Sequence, residues 1–416
     1  MKKNTTDVTR RGFLVGCSAA IAGLAGSRFN SMAFAHPGGD HDVLVTIFLR
    51  GGMDGLSLIC PIDGADRGHY EAARPGLAIP TSGPGSALPL SSAFGLHPAA
   101  APLLGLWQDS HMAVIQASGM IDVVNKSHFD AMQFVELGTP GSISAPDGWL
   151  TRHLQTTSGL PPEVVLPSLA IGDLQPVSLL DSLETVNVAD PDRFEIGNGP
   201  WQWRDAQRTA LRNIYDGQSS WLHDAGLQAL DAIDIIQLNA TGEYTPSGGA
   251  VYPEDPFGEQ LRLLAQMIKL DLGLQVATID FGGWDTHEGQ GSGSQGYLAE
   301  LFGSLATGLE AFYTDLDADL YTNRLTVVVQ SEFGRELHEN ADSGTEHGYG
   351  NRMLVLGGNV NGGFHGTFPG LHPDVLVDGT DLGVTTDYRQ VLSEILIRRL
   401  HNPAIDVVFP GYTGYS

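Results

Sequence analysis

The run Val43–Leu49 (VLVTIFL) constrains the fold more than any other stretch of the chain. It is continuously apolar and β-branched, and it ends at Arg50-Gly51-Gly52, where the backbone turns. A strand with one solvated face alternates apolar and polar residues, so an unbroken apolar run predicts a strand covered on both faces, as in a parallel sheet. Comparable runs predict strands at Met112–Ala117, Val164–Ile171, Val276–Phe281, Leu325–Gln330 and Met353–Leu356. Helical periodicity lies between them, at Ala99–Gln108, from Ser127 to about Val135, at Phe257–Leu272, Tyr297–Leu316 and Asp387–Leu400. Strands alternating with helices predict an α/β three-layer sandwich with a mostly parallel central sheet. Residues 180–258 interrupt the alternation, with two helical patterns between 200 and 238, and are expected to form a helical insertion within a single domain spanning residues 36–416.

The first 35 residues read as an address. Arg10-Arg11-Gly12-Phe13-Leu14 is a twin-arginine export signature, and Ala33-Phe34-Ala35 is an A-x-A cleavage site. The uncharged stretch between them is too short and too weakly apolar to anchor in a bilayer. Leu14-Val15-Gly16-Cys17 mimics a lipoprotein box, but too few apolar residues precede the cysteine. The expected location is periplasmic or secreted, with the twin-arginine translocase as a partner during export and no stable membrane insertion of the mature chain. Acids outnumber bases 48 to 22, for a net charge of −26. Five of those bases and one of those acids precede residue 36, so the remainder carries −30. Such a surface repels phosphate backbones and anionic lipid, which argues against nucleic-acid and peripheral membrane partners. Of the two cysteines, Cys17 falls in the leader, and Cys60 alone makes no internal disulfide.

In sheets of this kind ligands bind beyond the carboxyl ends of the strands, so the loops there are the place to seek chemistry. Four carry polar clusters: Arg50 to Ser57 (RGGMDGLS), Asn125 to Asp130 (NKSHFD), Gly282 to His287 (GGWDTH), and Ser331 to Arg335 (SEFGR) with Glu346-His347-Gly348-Tyr349 following. Asp285 and His287 are two apart, so an extended loop points both side chains the same way. A carboxylate and an imidazole converging on one point suit zinc or a similar borderline ion, and His347 supplies a third ligand. The alternative is an Asp–His pair bracing the loop. Ser127 stands where a helix begins, a place for an anion ligand or nucleophile, and equally the ordinary place of a helix cap. Asp54 is either a metal ligand or a partner for its own turn. Arg50 either clamps an anion or pairs with an acidic neighbour. Gly291 to Gly296 (GSGSQG) fits a dinucleotide pattern, but it starts ten residues after Phe281 rather than in a tight strand–helix turn. It reads as a loop, and no nucleotide cofactor is expected.

The segments LRGGMDGLS, SHFDAMQFVELG, GWDTHEGQ and SEFGRELHENADSGTEHGYGN resemble the family known as domain of unknown function 1501. That family is similar to the alkaline phosphatase and sulfatase superfamily, α/β sandwiches with a two-metal site at the strand ends that hydrolyse phosphate and sulfate esters. The resemblance implies that Asp285, His287 and His347 hold one metal. The superfamily's second metal uses an Asp ending the first strand and a later Asp-His pair. Here those places hold Arg50, with Asp54 displaced along the loop, and Glu332-Phe333. Phenylalanine cannot ligate and arginine repels a cation, so the second site is altered. The implied roles are Ser127 as nucleophile or anion ligand, Arg50 as an electrostatic clamp, and Asp54 and Glu332 as further metal-site residues. The implied cofactor is a divalent ion, zinc first, with manganese and calcium as the other candidates. The implied activity is hydrolysis of a phosphate or sulfate ester on a small molecule or glycan. The alternative is a non-catalytic binding or assembly protein of the cell envelope on a degenerate hydrolase scaffold.

Overall fold

The computed structural model describes residues 41–157, 166–195, 200–217 and 220–415. The expected leader, with Arg10, Arg11 and Ala35, lies outside the described residues, as do residues 164 and 165 of the expected strand Val164–Ile171. The central sheet contains β1 (Val43–Leu49), β2 (Met112–Gly119), β3 (Ser168–Ile171), β4 (Thr185–Val188), β5 (Val276–Phe281), β6 (Leu325–Gln330), β7 (Asn351–Leu356), β8 (Gly363–His365) and β9 (Thr386–Asp387). Across the sheet the order is β8-β2-β7-β6-β1-β5-β3-β4, with β9 also beside β2. Every pairing is parallel except those of β7, which runs antiparallel to β2 and β6.

The unbroken apolar run of β1 divides by parity, as a pleated strand buried on both faces must. Val43, Val45, Ile47 and Leu49 pack on one side, against α5 (Pro256–Lys269) and α6 (Tyr297–Asp317). Leu44 and Phe48 pack on the other, with α1 (His128–Leu137), α2 (Trp149–Thr156) and α7 (Tyr388–Arg398). Two helical layers therefore enclose the sheet, as the alternation predicts. The helices α3 (Arg204–Tyr215) and α4 (Trp221–Asn239) fall in the stretch expected to be an insertion. That stretch also contributes β4, which pairs with β3 in parallel, so its first part completes the sheet rather than interrupting it. The helix expected at Ala99–Gln108 is a 3-10 turn, Pro98–Leu103, followed by a short α-helix, Leu104–Gln108. Pro102 lies inside it and has no N–H to donate to an α-helical ladder.

The direction of β7 matters for the site. Because it opposes its neighbours, its first residue lies at their carboxyl end, opposite Ser118 of β2. The residues just before it, including His347, therefore arrive on the same edge as the loops that follow β1, β2, β5 and β6. No described helix is long and apolar enough to cross a membrane. A cleft of about 760 Å³ lies beside α7, touching Ala113, Thr326 and Val355 of the sheet and Gln390, Glu394 and Arg398 of the helix.

Candidate metal centre

Three imidazoles and one carboxylate converge at the carboxyl edge. Asp285 Oδ1 lies 3.3 Å from His128 Nε2, 3.0 Å from His287 Nε2 and 3.1 Å from His347 Nε2. His287 Nε2 and His347 Nε2 are 2.8 Å apart. Tetrahedral zinc with bonds of about 2.0–2.1 Å places its donors about 3.3 Å from one another, a spacing that the contacts of Asp285 Oδ1 with His128 and His347 approach, whereas His287 and His347 stand at hydrogen-bond distance. The ligand atoms of His128, Asp285 and His347 all fall within 4.8 Å of one another.

The second nitrogen of each ring decides which way its lone pair points. His347 Nδ1 is 2.7 Å from the carbonyl of Lys126. A carbonyl only accepts, so Nδ1 carries the proton and Nε2 faces Asp285 with a free lone pair. His128 Nδ1 is 2.6 Å from Glu332 Oε1, and His287 Nδ1 is 2.8 Å from Glu346 Oε2. Acceptors placed this way behind ring nitrogens are the usual supports of metal-bound histidines. His128 Nε2 is buried and has no hydrogen-bond partner, an arrangement that a bound cation would satisfy. Hydrogen bonding to Glu332, reinforced by its charge, raises the pKa of His128, whereas burial lowers that of His347. Burial pushes the Asp285 carboxyl up, but the hydrogen bond and charge of Arg335 outweigh it and hold it well below the usual carboxylate range.

The backbone that supports this cluster is packed without slack. Gly51 has φ +123°, and a Cβ there would lie 2.4 Å from Asp285 N. Only glycine lets the turn after β1 close over the Asp-x-His loop. The hairpin of Arg335–Glu339 and Thr345–His347 presses on that loop from the other side. Its Asn340 Nδ2 donates to His287 O at 2.8 Å, and Thr345 N donates to Thr286 O at 3.1 Å. Arg335 is fully buried and donates to the carbonyls of Gly51, Gly52, Trp284 and Thr345 and to Asp285 Oδ1 at 2.6 Å. It ties three of the four loops together and orients the carboxylate.

The residues singled out from the sequence divide into those that meet here and those that do not. Asp285, His287 and His347 stand together. Glu332 stands one step behind, accepting from His128, from Gly51 N at 2.9 Å and from Ser331 Oγ at 2.8 Å, with no free oxygen turned toward the cluster. Asp54, expected to be a metal ligand, is instead fully buried away from it. It pairs with Arg74 at 2.6 Å, accepts from Gln290 at 2.8 Å and caps the short helix Gly55–Leu58 through Ser57. Arg50, expected to clamp an anion, has both terminal nitrogens taken by Glu136, at 2.6 and 2.9 Å, and by Asp280 at 2.9 Å. Its guanidinium also lies 4.1 Å from the Phe48 ring. Ser127 occupies the N-cap position of α1, yet its side chain makes no capping bond and is exposed. Sequence reasoning missed His128 and Arg335. The signal for His128 was present: an imidazole at the first position of a helix that follows a strand, beside the serine that drew attention instead.

A model of the family described as Protein of unknown function (DUF1501) matches residues 209–392. The match includes Asp285, His287, Glu332, Arg335 and His347, and with them two of the four motifs, GWDTHEGQ and SEFGRELHENADSGTEHGYGN. No curated protein matches the chain. Among solved structures, the chain is similar to PsFucS1 sulfatase from Pseudoalteromonas sp., at 9% identity and a TM-score of 0.36, covering 86% of this chain and 68% of that one. It is similar to the phosphonate monoester hydrolase of Agrobacterium radiobacter, at 10% identity and a TM-score of 0.34, covering 90% and 79%. It is also similar to Ps i-CgsB, at 8% identity and a TM-score of 0.36, covering 78% and 68%.

Proposed function

We propose that this chain, whose residues 209–392 carry the DUF1501 pattern, is an exported, metal-dependent hydrolase of phosphate or sulfate esters borne by a small molecule or glycan. The observation that carries the reading is the convergence of three Nε2 atoms on one carboxylate oxygen, each ring braced through Nδ1. The sequence supports export through its twin-arginine motif and cleavage site. His128, Asp285 and His347 would hold the ion, with His287 as the fourth donor on the more exposed side. The nitrogen-rich donor set fits zinc, and manganese second; calcium, which takes oxygen ligands, fits poorly. Bound there, the ion supplies Lewis acidity toward an ester oxygen.

The chain's own residues supply position. Glu332 holds the proton of His128 Nδ1, and the Lys126 carbonyl holds that of His347. Arg335 fixes Asp285 and keeps three of the four loops in register. Ser127, free of a capping bond at the positive end of a ten-residue helix, is available as nucleophile or anion ligand.

The saturation of Arg50 by Glu136 and Asp280 favours the second reading, a binding protein on a hydrolase-like scaffold. Elemental analysis separates the two, comparing the exported protein with a His128→Ala, His347→Ala double variant. One tightly held ion, absent from the variant, together with turnover of p-nitrophenyl esters lost in Ser127→Ala, is the expected result. A folded protein that holds no ion would overturn the hydrolase reading. An ion without turnover would leave the binding protein.

A further inference from the structure

The cleft beside α7 is separate from the histidine cluster. None of its lining residues lies on the loops that carry His128, Asp285, His287 or His347. Ala113 and Ile115 of β2 and Val355 of β7 line its sheet side, and Val391 and Ile395 of α7 line its helix side. Among the described residues no phenylalanine, tyrosine or tryptophan lines it, so its apolar surface is aliphatic. At about 760 Å³ it has the size of a small-molecule site. Two polar atoms of its lining residues lack partners. Thr326 of β6 is 3% exposed, and its Oγ1 is buried with no hydrogen-bond partner among the described residues. Arg399, directly after α7, donates from Nη2 to Asn323 O at 2.6 Å and to Asp42 Oδ1 at 3.2 Å, while its Nε is buried and unpartnered among the described residues. Asn323 precedes Thr326 by three residues, and Asp42 lies two before Leu44, the register partner of Thr326. The anchors of the guanidinium therefore hold it close to the threonine.

We propose that this cleft binds an aliphatic monocarboxylate, its two oxygens accepting from Thr326 Oγ1 and Arg399 Nε and its alkyl body lying along Ile115, Val391 and Ile395. The inference is independent of the metal-site reading. Buried polar groups in native proteins are rarely left without partners, so two such donors beside one cleft mark a place for an acceptor. A carboxylate only accepts and offers two oxygens, so one head group satisfies both donors. Hydrogen bonds to an ionised acceptor are also about twice as strong as those between neutral groups. An alcohol presents a single oxygen, and an ammonium brings only more donors. The one carboxylate that lines the cleft, Glu394, is taken by Arg398 at 3.1 Å and does not compete for these atoms. The aliphatic walls suit an alkyl chain, whose burial supplies the remaining affinity.

The test is isothermal titration of the purified protein with sodium octanoate, which should bind at one site with a Kd below about 1 mM. Octan-1-ol and octylamine should bind at least about tenfold more weakly. Thr326→Val removes the hydroxyl at nearly constant size and should weaken octanoate about tenfold or more. Thr326→Ser keeps the hydroxyl and should stay within a few-fold of the parent. Because the hydroxyl is unpaired in the free protein, Thr326→Val should not lower the urea midpoint measured without octanoate, so its lost affinity is not a lost fold. The His128→Ala, His347→Ala double variant should bind octanoate as the parent does, which separates the cleft from the histidine cluster. Failure of the parent to bind octanoate would overturn the inference. So would octan-1-ol bound as tightly, parent-like affinity in Thr326→Val, or affinity lost in a folded double histidine variant.

Discussion

Removing the Asp54 carboxylate separates a structural pair from a metal ligand. Asp54 and Arg74 are both fully buried, their heads 2.6 Å apart. Asp54 also accepts from Ser57 N at 3.2 Å, Ser57 Oγ at 2.8 Å and Gln290 Nε2 at 2.8 Å. Gln290 in turn accepts from Thr286 Oγ1 and Thr345 Oγ1, on the two loops that flank the candidate metal centre. Asp54→Ala leaves a guanidinium buried without a counter-charge, a change that costs about 3–5 kcal/mol. Folded proteins are stable by only about 5–15 kcal/mol, so the loss is about a fifth of the total or more. Urea unfolding of the variant should show a markedly lower midpoint, and its ion content, measured below that midpoint, should equal that of the parent. The double variant Asp54→Leu, Arg74→Met removes both charges and should recover most of the stability, because replacing a buried pair with apolar groups is often neutral or better. A variant of normal stability that had lost its ion would refute the reasoning and return Asp54 to the ligand set.

Other outcomes follow from the same geometry. Glu332→Gln should leave the fold intact and weaken ion binding by about 10–100-fold, as removal of a carboxylate behind a metal-bound histidine does; equilibrium dialysis measures it. Arg50→Met should lower stability by leaving Glu136 buried and unpaired, with a far smaller effect on ion content; a variant of unchanged stability that had lost anion affinity would restore the clamp role. Burial pushes both His97 and His153 down to about 4. Each is neutral when folded and takes up a proton when unfolded below about pH 6.5, so stability should be full above that pH and fall as pH drops toward 4, by up to about 3 kcal/mol per group. Urea midpoints across that range test it, and His153→Gln should flatten the slope. Gly51→Ala should displace the Asp-x-His loop, since its Cβ would lie 2.4 Å from Asp285 N, and should lose the ion without touching a ligand.

The layer architecture was legible because one physical rule governs it. A strand with no polar face needs cover on both sides, and Val43–Leu49 and Leu325–Gln330 state that directly. The short strand β4, Thr185–Val188, was not legible, because four residues carry too little pattern to stand out from a loop. Nor was the reversal of β7, since Asn351–Leu356 is apolar in the same way whichever direction it runs. Asp285 and His287 were legible from local spacing. For Asp54 and Arg50 two roles stayed open, because the choice depends on partners 20 and 86 positions away, Arg74 and Glu136, which no local pattern reveals.

The difference between Ser127 and His128 shows what decides a role at this edge. Both sit at the start of α1, at the positive end of its dipole, and sequence alone favours the serine on chemical grounds. The supports choose otherwise. Glu332, two residues beyond the end of β6, lies 2.6 Å from His128 Nδ1, so the ring presents Nε2 to Asp285. His347 reaches the same carboxylate only because β7 begins at this edge. Three imidazoles from three distant segments, 128, 287 and 347, therefore meet through strand direction and the partners behind each ring, not through spacing along the chain. Moving the Glu332 carboxylate by one methylene, as Glu332→Asp, keeps the charge and the type of acceptor but shortens its reach. If position behind the ring is what matters, this variant should bind the ion as weakly as Glu332→Gln. If charge alone matters, it should bind like the parent. Parent-like affinity in Glu332→Asp would show that His128 is held by the field of the site, and that the hydrogen bond to Glu332 is a consequence of that field.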